Sequence, residues 1–373
     1  MKQGLGAPHF ESVHDTITYD ADLAVKVLQV KKRATIGLVG RSYIPQANRY
    51  HLGKINMRKK VQRMNLLILE SAAKEYEKKI RSKFPQVVTC AATKEEEIGD
   101  FIETADILLA FRISDEMMKR AKNLKWIQSL ATGVDYVLNL PSLRKDVLLT
   151  STRGIHGPQM SEIAFLHMLA LNRNYPEVVR NQDRQVWDRW PGKLLYQKKI
   201  GIFGVGTIGV ELAGKCKAFA MTTYGIDIFR RKLDVIDFFY GPEDIVKVAS
   251  EIDYLIVVAP YTPETKNIIN QKVFEAMKPS AFFINIGRGE LVNEQDLIDA
   301  LNSGKIAGAA LDAFIEEPLP KGHPFWKTKN LLITPHVGGM SDIYMDQALS
   351  IFEPNLRRFL AGERQNLTNL IPR

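Results

Sequence analysis

Residues 199–209, KIGIFGVGTIG, leave the chain little choice of local fold. Ile200, Ile202 and Phe203 form an apolar run that stops at Gly204, and a helical pattern through Leu212, Cys216, Phe219 and Ala220 begins after Gly209. The order is strand, tight turn, helix. In that setting the G-x-G-x-x-G spacing has a physical reading: Gly204 permits the turn, Gly206 lets backbone approach a pyrophosphate with no Cβ in the way, and Gly209 lets helix pack closely on strand. The helix N-terminus faces the anion, and Thr207 offers a hydroxyl beside it. Glycines also cluster in ordinary turns, so the spacing alone decides nothing. The continuation decides it. Residues 222–226 read as a second strand ending in Asp227, 18 residues after Gly209, where a carboxylate accepts hydrogen bonds from an adenosine ribose.

A length of 373 residues accommodates two domains with separate cores. The 45% hydrophobic and 25% charged composition is that of an ordinary globular protein, and no apolar run approaches the ~18 residues of a membrane span. Glu11, Asp15, Asp20 and Asp22 at the start, with no apolar h-region, resemble neither a secretory signal nor a transit peptide, so a cytoplasmic protein is expected. Cys90, in a strand-like run, and Cys216, on a helix, read as small buried hydrophobes. No metal-ligand spacing stands out. The net charge of +9 has a local origin: between Asp22 and Glu70 there are eleven basic residues, from Lys26 to Arg63, and no acid. The remaining body is nearly neutral, and the basic stretch contains no base-reading module, which argues against nucleic acid as a partner.

Residues 1–63 show no clear period, apart from a short strand pattern at 35–39. From residue 64 the pattern alternates: strands at 64–69, 86–91, 105–111 and 124–130, helices at 72–84, 94–103 and 114–121. Ser114 caps the last helix, with Asp115 and Glu116 in its first turn. A helix at 159–173 follows, with Pro176 expected to interrupt or kink it. Trp187 and Trp190 next to it suggest either packing on another subunit or simple burial. After Asp227 come a helix opened by Gly241-Pro242, strands at 254–258, 281–286, 306–311 and 331–334, a helix capped by Asn293, and a C-terminal helix at 343–360. Such alternation predicts parallel sheets with helices on both faces.

Three late strands each run into a polar residue: FFINIGRG gives Arg288, ALDAFIEEP gives Asp312 and Glu317, and LLITPH gives His336. In an open parallel sheet the C-terminal strand ends face one crevice, where a dinucleotide also lies. Imidazole, carboxylate and guanidinium converging there suit carbonyl reduction: an acid for the oxygen, its orienting partner, and a cation for a substrate carboxylate.

With these residues the chain resembles the D-isomer-specific 2-hydroxyacid dehydrogenases over 64–373. The matching stretches, in order, are ATGVDYV at 131–137, TRGIHG at 152–157, GVGTIG at 204–209, VVAPYTPET at 257–265, INIGRGELVNE at 284–294, ALDAFIEEPLP at 310–320 and TPHVGG at 334–339. The resemblance implies an α/β fold of two doubly wound parallel-sheet domains, a Rossmann dinucleotide-binding domain (153–338) inserted into a flavodoxin-like catalytic domain (64–152 and 339–373). It implies Arg288, Glu317 and His336 as the catalytic residues, a substrate cradle at Thr132 and Gly133 with Arg288, and Asp312 beside the nicotinamide amide. Ile208, Pro260, Thr265, Ile286 and Gly339 join Gly204, Gly206, Thr207, Gly209 and Asp227 around the cofactor. Arg288, on a GRG stretch that reads as flexible and exposed, is placed for chemistry. Glu316 reads as the solvated neighbour of Glu317. His9, His14, His51, His156, His167 and His323 read as structural or exposed.

The chain departs from the family in three places: Val258 stands where many members have histidine, Met340 follows the Gly-Gly pair, and residues 1–63 lie outside the pattern. The implied reaction passes hydride from NADH, with NADPH less favoured, to a 2-oxo acid, while His336, kept charged by Glu317, delivers the proton. Arg230 and Arg231 follow Asp227, in a turn that reads as mobile and solvent-screened. A homodimer built on residues 159–190 is expected. A corepressor-like dinucleotide sensor keeps the same residues and is the rival reading; formate dehydrogenase is disfavoured because its histidine pairs with glutamine.

Overall fold

A computed structural model describes residues 63–229 and 231–373. The strand pattern at 35–39, nearly all of the basic extension, three of the histidines and Arg230 lie outside the described residues. Among the described residues, parallel pairing makes two sheets.

The first sheet contains β1 (Asn65–Leu69), β2 (Val88–Ala92), β3 (Ile107–Ala110), β4 (Trp126–Ser129) and β5 (Leu148–Thr150), in the order β2-β1-β3-β4-β5. Helices α1 (Ala73–Lys83), α2 (Phe101–Thr104), α3 (Asp115–Arg120) and α4 (Asp135–Leu138) connect its strands. The chain leaves through α5 (Gly157–Arg173) and α6 (Tyr175–Asp183). It then builds β6 (Lys199–Phe203), α7 (Thr207–Ala218), β7 (Thr222–Ile226), β8 (Phe238–Tyr240), α8 (Ile245–Glu251) and β9 (Tyr254–Val257). The second sheet is completed by α9 (Gln271–Ala276), β10 (Phe282–Asn285), α10 (Glu294–Asn302), β11 (Gly308–Leu311) and β12 (Leu331–Ile333). Its order, β12-β11-β10-β9-β6-β7-β8, reverses direction between β6 and β9, which opens a crevice at the strand ends. Finally α11 (Tyr344–Leu360) returns to the first sheet.

The sequence builds these layers because central strands apolar on both sides bury both faces. In β9, β10 and β11 every residue is buried. Register carries Ile202, Ile256, Ile284 and Ala310 onto one face, against Met160, Ala164 and Met168 of α5 and Leu212 and Ala213 of α7. Alternate residues, Leu255, Val257, Phe283, Ala309 and Leu311, meet Val248, Phe274 and Leu297 on the other. In the first sheet, Trp126 packs between Phe352 and Phe359 of α11 at 5.4 and 5.1 Å between ring centroids, and its indole N–H donates to Thr150 Oγ1 at 2.8 Å. No helix among the described residues is long and apolar enough to cross a membrane.

Several local expectations need correction. The helix expected over 94–103 is a 3-10 turn at Glu95–Glu97 followed by α2, broken by Gly99 at φ +59°. The Glu97 carboxylate turns back to the Thr93 N–H at 2.8 Å, closing the first piece. The long helix breaks at Asn174, left-handed at φ 49°, and Pro176 opens α6, where a missing N–H costs nothing. Gly241-Pro242 opens a 3-10 turn, Pro242–Asp244, ahead of α8. Strands β5 and β8, three residues each, and the short α4 and α9 were too brief to show a period. Cys216 is fully buried, whereas Cys90 is only half-buried.

Candidate active site

The glycine loop has the geometry its spacing demands. Gly204 lies at φ +103°, and a Cβ on it would come 2.6 Å from the Ala259 nitrogen. A Cβ on Gly209 would meet the Gly204 oxygen at 2.1 Å, so only glycine lets α7 sit this close to β6. Gly206 faces open space, and the first turn of α7 contains no acid. Thr207 is exposed and Ile208 half-buried at that helix start. An open backbone approach to the N-terminus of a twelve-residue helix fits a pyrophosphate.

Asp227 follows β7 directly, but its carboxylate is already engaged. Oδ2 accepts from the Val205 N–H at 2.7 Å and Oδ1 from the Phe229 N–H at 3.0 Å. Each oxygen keeps lone pairs for a ribose hydroxyl. Arg231 is exposed, and its guanidinium donates to the Val205 carbonyl, which brings a cation back to the glycine loop. The loop after β9 is organised from within, since Thr265 Oγ1 accepts from the Thr262 N–H at 2.7 Å and donates to the Pro260 carbonyl at 3.1 Å. Ile286 is buried beyond the end of β10.

The GRG stretch is not exposed. Gly287 and Gly289 are buried, and a Cβ on Gly289 would come 2.1 Å from the Phe314 carbonyl carbon. Asn285 locks the turn, accepting from the Gly287 N–H at 3.0 Å and donating to the Arg288 carbonyl at 2.8 Å. Held this way, Arg288 reaches the other sheet: a Cβ on Gly133 would lie 2.1 Å from its Nη2. The backbone N–H groups of Thr132 and Gly133 make no hydrogen bond among the described residues. Two adjacent N–H donors beside a guanidinium, between the ends of β4 and β10, are chemically suited to an anion.

His336 sits in a turn after β12 at φ 53°, with Nδ1 2.8 and 2.9 Å from the two oxygens of Glu317. Burial raises the Glu317 pKa, but this hydrogen bond, the Phe314 N–H at 3.0 Å, and the charges of His336 and Arg112 outweigh it, so the carboxyl is held below its ordinary value. With Nδ1 committed, Nε2 is the nitrogen free to exchange a proton. Glu316 beside it is exposed.

Asp312 stands 1% exposed, and its oxygens accept from the Thr334 hydroxyl at 2.5 Å and from the Val337 and Gly338 N–H groups at 3.0 and 2.9 Å. In the structure it therefore clamps the turn that carries His336. Gly339 lies next to this turn, its carbonyl accepting from Gln159 Nε2 at 3.4 Å.

Sequence reasoning missed three groups here. Arg112, exposed at the end of β3, lies 5.9 Å from the ring centroid of Tyr136 on α4; the apolar run LLAFR carried the same strand-end signal as the others. Buried His167 faces the Thr334 hydroxyl at 3.2 Å, and burial pushes its pKa down to about 4. Buried His156 bonds Thr132 and Tyr344, although TRGIHG alone gave no sign of it. His323 is half-buried, 3.4 Å from Glu294. Among the described residues no cluster of three or more His, Cys, Asp or Glu could hold a metal.

The family model described as D-isomer specific 2-hydroxyacid dehydrogenase, NAD binding domain, matches residues 165–338. A crystal structure of a D-isomer specific 2-hydroxyacid dehydrogenase family protein from Aeromonas salmonicida is 34% identical, with a TM-score of 0.77 over 83% of this chain and 99% of that one. The chain is 34% identical over 245 residues to the glyoxylate/hydroxypyruvate reductase A of Serratia proteamaculans, covering 64% of this chain and 78% of the relative. A D-isomer specific 2-hydroxyacid dehydrogenase from Xanthobacter autotrophicus, solved in complex with NADPH and MES, is 27% identical with a TM-score of 0.71 over 83% of this chain and 98% of that one.

Proposed function

The chain belongs to the D-isomer-specific 2-hydroxyacid dehydrogenase family, a dinucleotide-dependent oxidoreductase acting on CH–OH groups, and from that premise we propose that it reduces a small 2-oxo acid to the D-2-hydroxy acid with NADH. The observation that carries this reading is the His336 imidazole held by both Glu317 oxygens at 2.8 and 2.9 Å, on the same rim of strand ends as Arg288 and the 132–133 cradle. The bound dinucleotide supplies the hydride. His336 gives its Nε2 proton to the forming alkoxide, while Glu317 holds the ring in register through Nδ1. Arg288 grips the carboxylate and polarises the carbonyl oxygen as charge develops on it, with the Thr132 and Gly133 N–H groups sharing the anion. Gly204, Gly206, Thr207, Ile208, Gly209 and Asp227 would hold the dinucleotide with Pro260, Thr265, Ile286 and Gly339, and Asp312 would act on the nicotinamide end through the turn it clamps.

A small substrate is favoured by the relative named for glyoxylate and hydroxypyruvate. The preference for NADH rests on Asp227, whose fixed carboxylate repels a 2′-phosphate. Arg231 opposes it from the same loop, and a relative was solved with NADPH bound. The protein works in the cytoplasm as a homodimer. Its apolar surface gathers on α5, α6 and the segment after them: Leu166, Tyr175, Val186 and Leu194 are at least half exposed and Trp187 is 92% exposed. Trp190, in contrast, is partly buried and donates to the Arg173 carbonyl at 3.2 Å. A panel of 2-oxo acids with NADH and NADPH tests the proposal: turnover of a small 2-oxo acid to the D-product supports it, and no turnover of any 2-oxo acid with either cofactor refutes it.

A further inference from the structure

The segment that leaves the first sheet and the segment that returns to it each contribute one side chain to a shared hydrogen-bonded chain. His156 stands at the start of α5 on the outward path, and Tyr344 opens α11 on the return. His156 Nδ1 lies 2.7 Å from Thr132 Oγ1, and Nε2 lies 3.1 Å from the Tyr344 hydroxyl. The Tyr344 phenol donates to the Leu130 carbonyl. That bond fixes the direction of the rest. A phenol that donates to Leu130 has only lone pairs left, so Nε2 carries the imidazole hydrogen and Nδ1 accepts from the Thr132 hydroxyl. The ring is 7% exposed, and burial together with the Arg288 charge pushes its pKa down to about 4, so near neutrality it keeps the single proton this chain requires. Burial likewise pushes the Tyr344 phenol up to about 12.

We propose that His156 is a positioning residue for the substrate: by holding the Thr132 hydroxyl and the Tyr344 phenol together, it sets the 132–133 loop relative to the strand ends that carry Arg288 and His336. This rests on the reading of that loop as the carboxylate cradle. Gln347 of α11 reinforces the junction, donating to the Ile155 carbonyl at 3.3 Å and exchanging hydrogen bonds with Gln159 of α5. A misplaced cradle weakens carboxylate binding while the pyrophosphate and ribose part of the dinucleotide site, built on β6 and β7, is untouched.

The test uses the full chain and four variants: His156→Ala, His156→Asn, which keeps an acceptor near the Nδ1 position, His156→Gln, which keeps a donor near Nε2, and Tyr344→Phe, which removes one oxygen. In His156→Ala the KM for the best 2-oxo acid rises at least about tenfold while kcat stays within about threefold and the NADH dissociation constant, read by fluorescence, within about twofold. Asn and Gln each restore part of the KM. Combining His156→Ala with Tyr344→Phe adds little to His156→Ala alone, because both break one chain. In the wild type, ¹⁵N spectra of labelled histidine show a neutral ring protonated at Nε2, and Tyr344→Phe moves that signal. Unchanged KM in His156→Gln, His156→Asn and Tyr344→Phe, additive losses in the double variant, or an Nδ1-protonated ring overturns the proposal. A lowered melting temperature with normal KM in the folded protein does so too, since it marks a purely structural histidine. Should His156→Ala not fold, Tyr344→Phe and the spectrum decide. Wild-type protein that turns over no 2-oxo acid refutes the functional reading before any variant is made.

Discussion

His336 and Glu317 form a pair whose two halves answer to different tests. His336→Ala removes the proposed proton donor, and reduction of the best 2-oxo acid should fall to background in steady-state assays with NADH; full activity would remove the assignment. Glu317→Gln keeps a hydrogen-bond acceptor but takes away one of the two carboxylate oxygens that hold the ring, and kcat in the same assay should fall at least about tenfold. The acid side follows from Glu317 itself. Its pKa is depressed, so the stabilisation it contributes is complete above the ordinary carboxylate value of about 4.3 and is lost only as pH falls through the lower folded value. Between neutrality and about pH 4.3 the Glu317 carboxylate should stay ionised, which its carboxyl carbon shift in an NMR titration will check. Asp227 faces a different contest, against Arg231. Selectivity for NADH over NADPH of at least about tenfold in kcat/KM, about 1.4 kcal/mol, is expected, and Asp227→Ser should narrow or reverse it. Wild type that prefers NADPH would show that the arginine reads the ribose.

At the scale of elements, α5, α6 and the chain leading to β6 pose the sharpest question, because they bury one side and leave the other apolar. Met160, Ala164 and Met168 face the second sheet, while Leu166, Leu169, Val178, Val179 and Trp187 face outward. A dimer is expected by light scattering at micromolar concentration, and Trp187→Glu should raise its dissociation constant at least about tenfold by burying a charge where an indole belonged. A wild-type monomer under those conditions would contradict the arrangement. The long-helix pattern was legible from its apolar spacing, but its break was not: Pro176 drew the attention, and the left-handed residue is Asn174. The reason is that proline is tolerated in a first turn, so its presence alone does not say whether a helix stops or starts there.

For the whole molecule, the return of α11 to the first sheet makes the fold depend on contacts hundreds of residues apart. Phe352, fully buried against Trp126, fills that junction, and Phe352→Ala should cost about 3–5 kcal/mol in denaturant unfolding. A change under about 1 kcal/mol would mean that the core closes over the gap. The N-terminal extension is expected to be dispensable, since it brings basic residues and no group at a strand end. Deleting residues 2–63 should leave kcat and KM of the soluble enzyme within about twofold, given that the described strand ends supply every proposed chemical group. A truncated protein that folds but does not turn over substrate would place the extension over the active site.

Sequence by itself determined the parallel α/β layers, the dinucleotide loop, and the three strand ends with Arg288, Glu317 and His336. These are written locally: period, β-branched runs and glycine spacing are properties of short windows, and strand ends in a doubly wound sheet share a crevice whatever the rest of the chain does. Tertiary structure alone decided the rest. That Arg288 lies against Gly133, that Asp312 spends its carboxylate on the turn of His336, and that Arg231 returns to the glycine loop are contacts between segments far apart in the chain. His156 is the clearest case. Its partners Thr132 and Tyr344 stand 24 and 188 residues away, and nothing in the spacing of a lone histidine announces which hydroxyls the fold will bring to its two nitrogens.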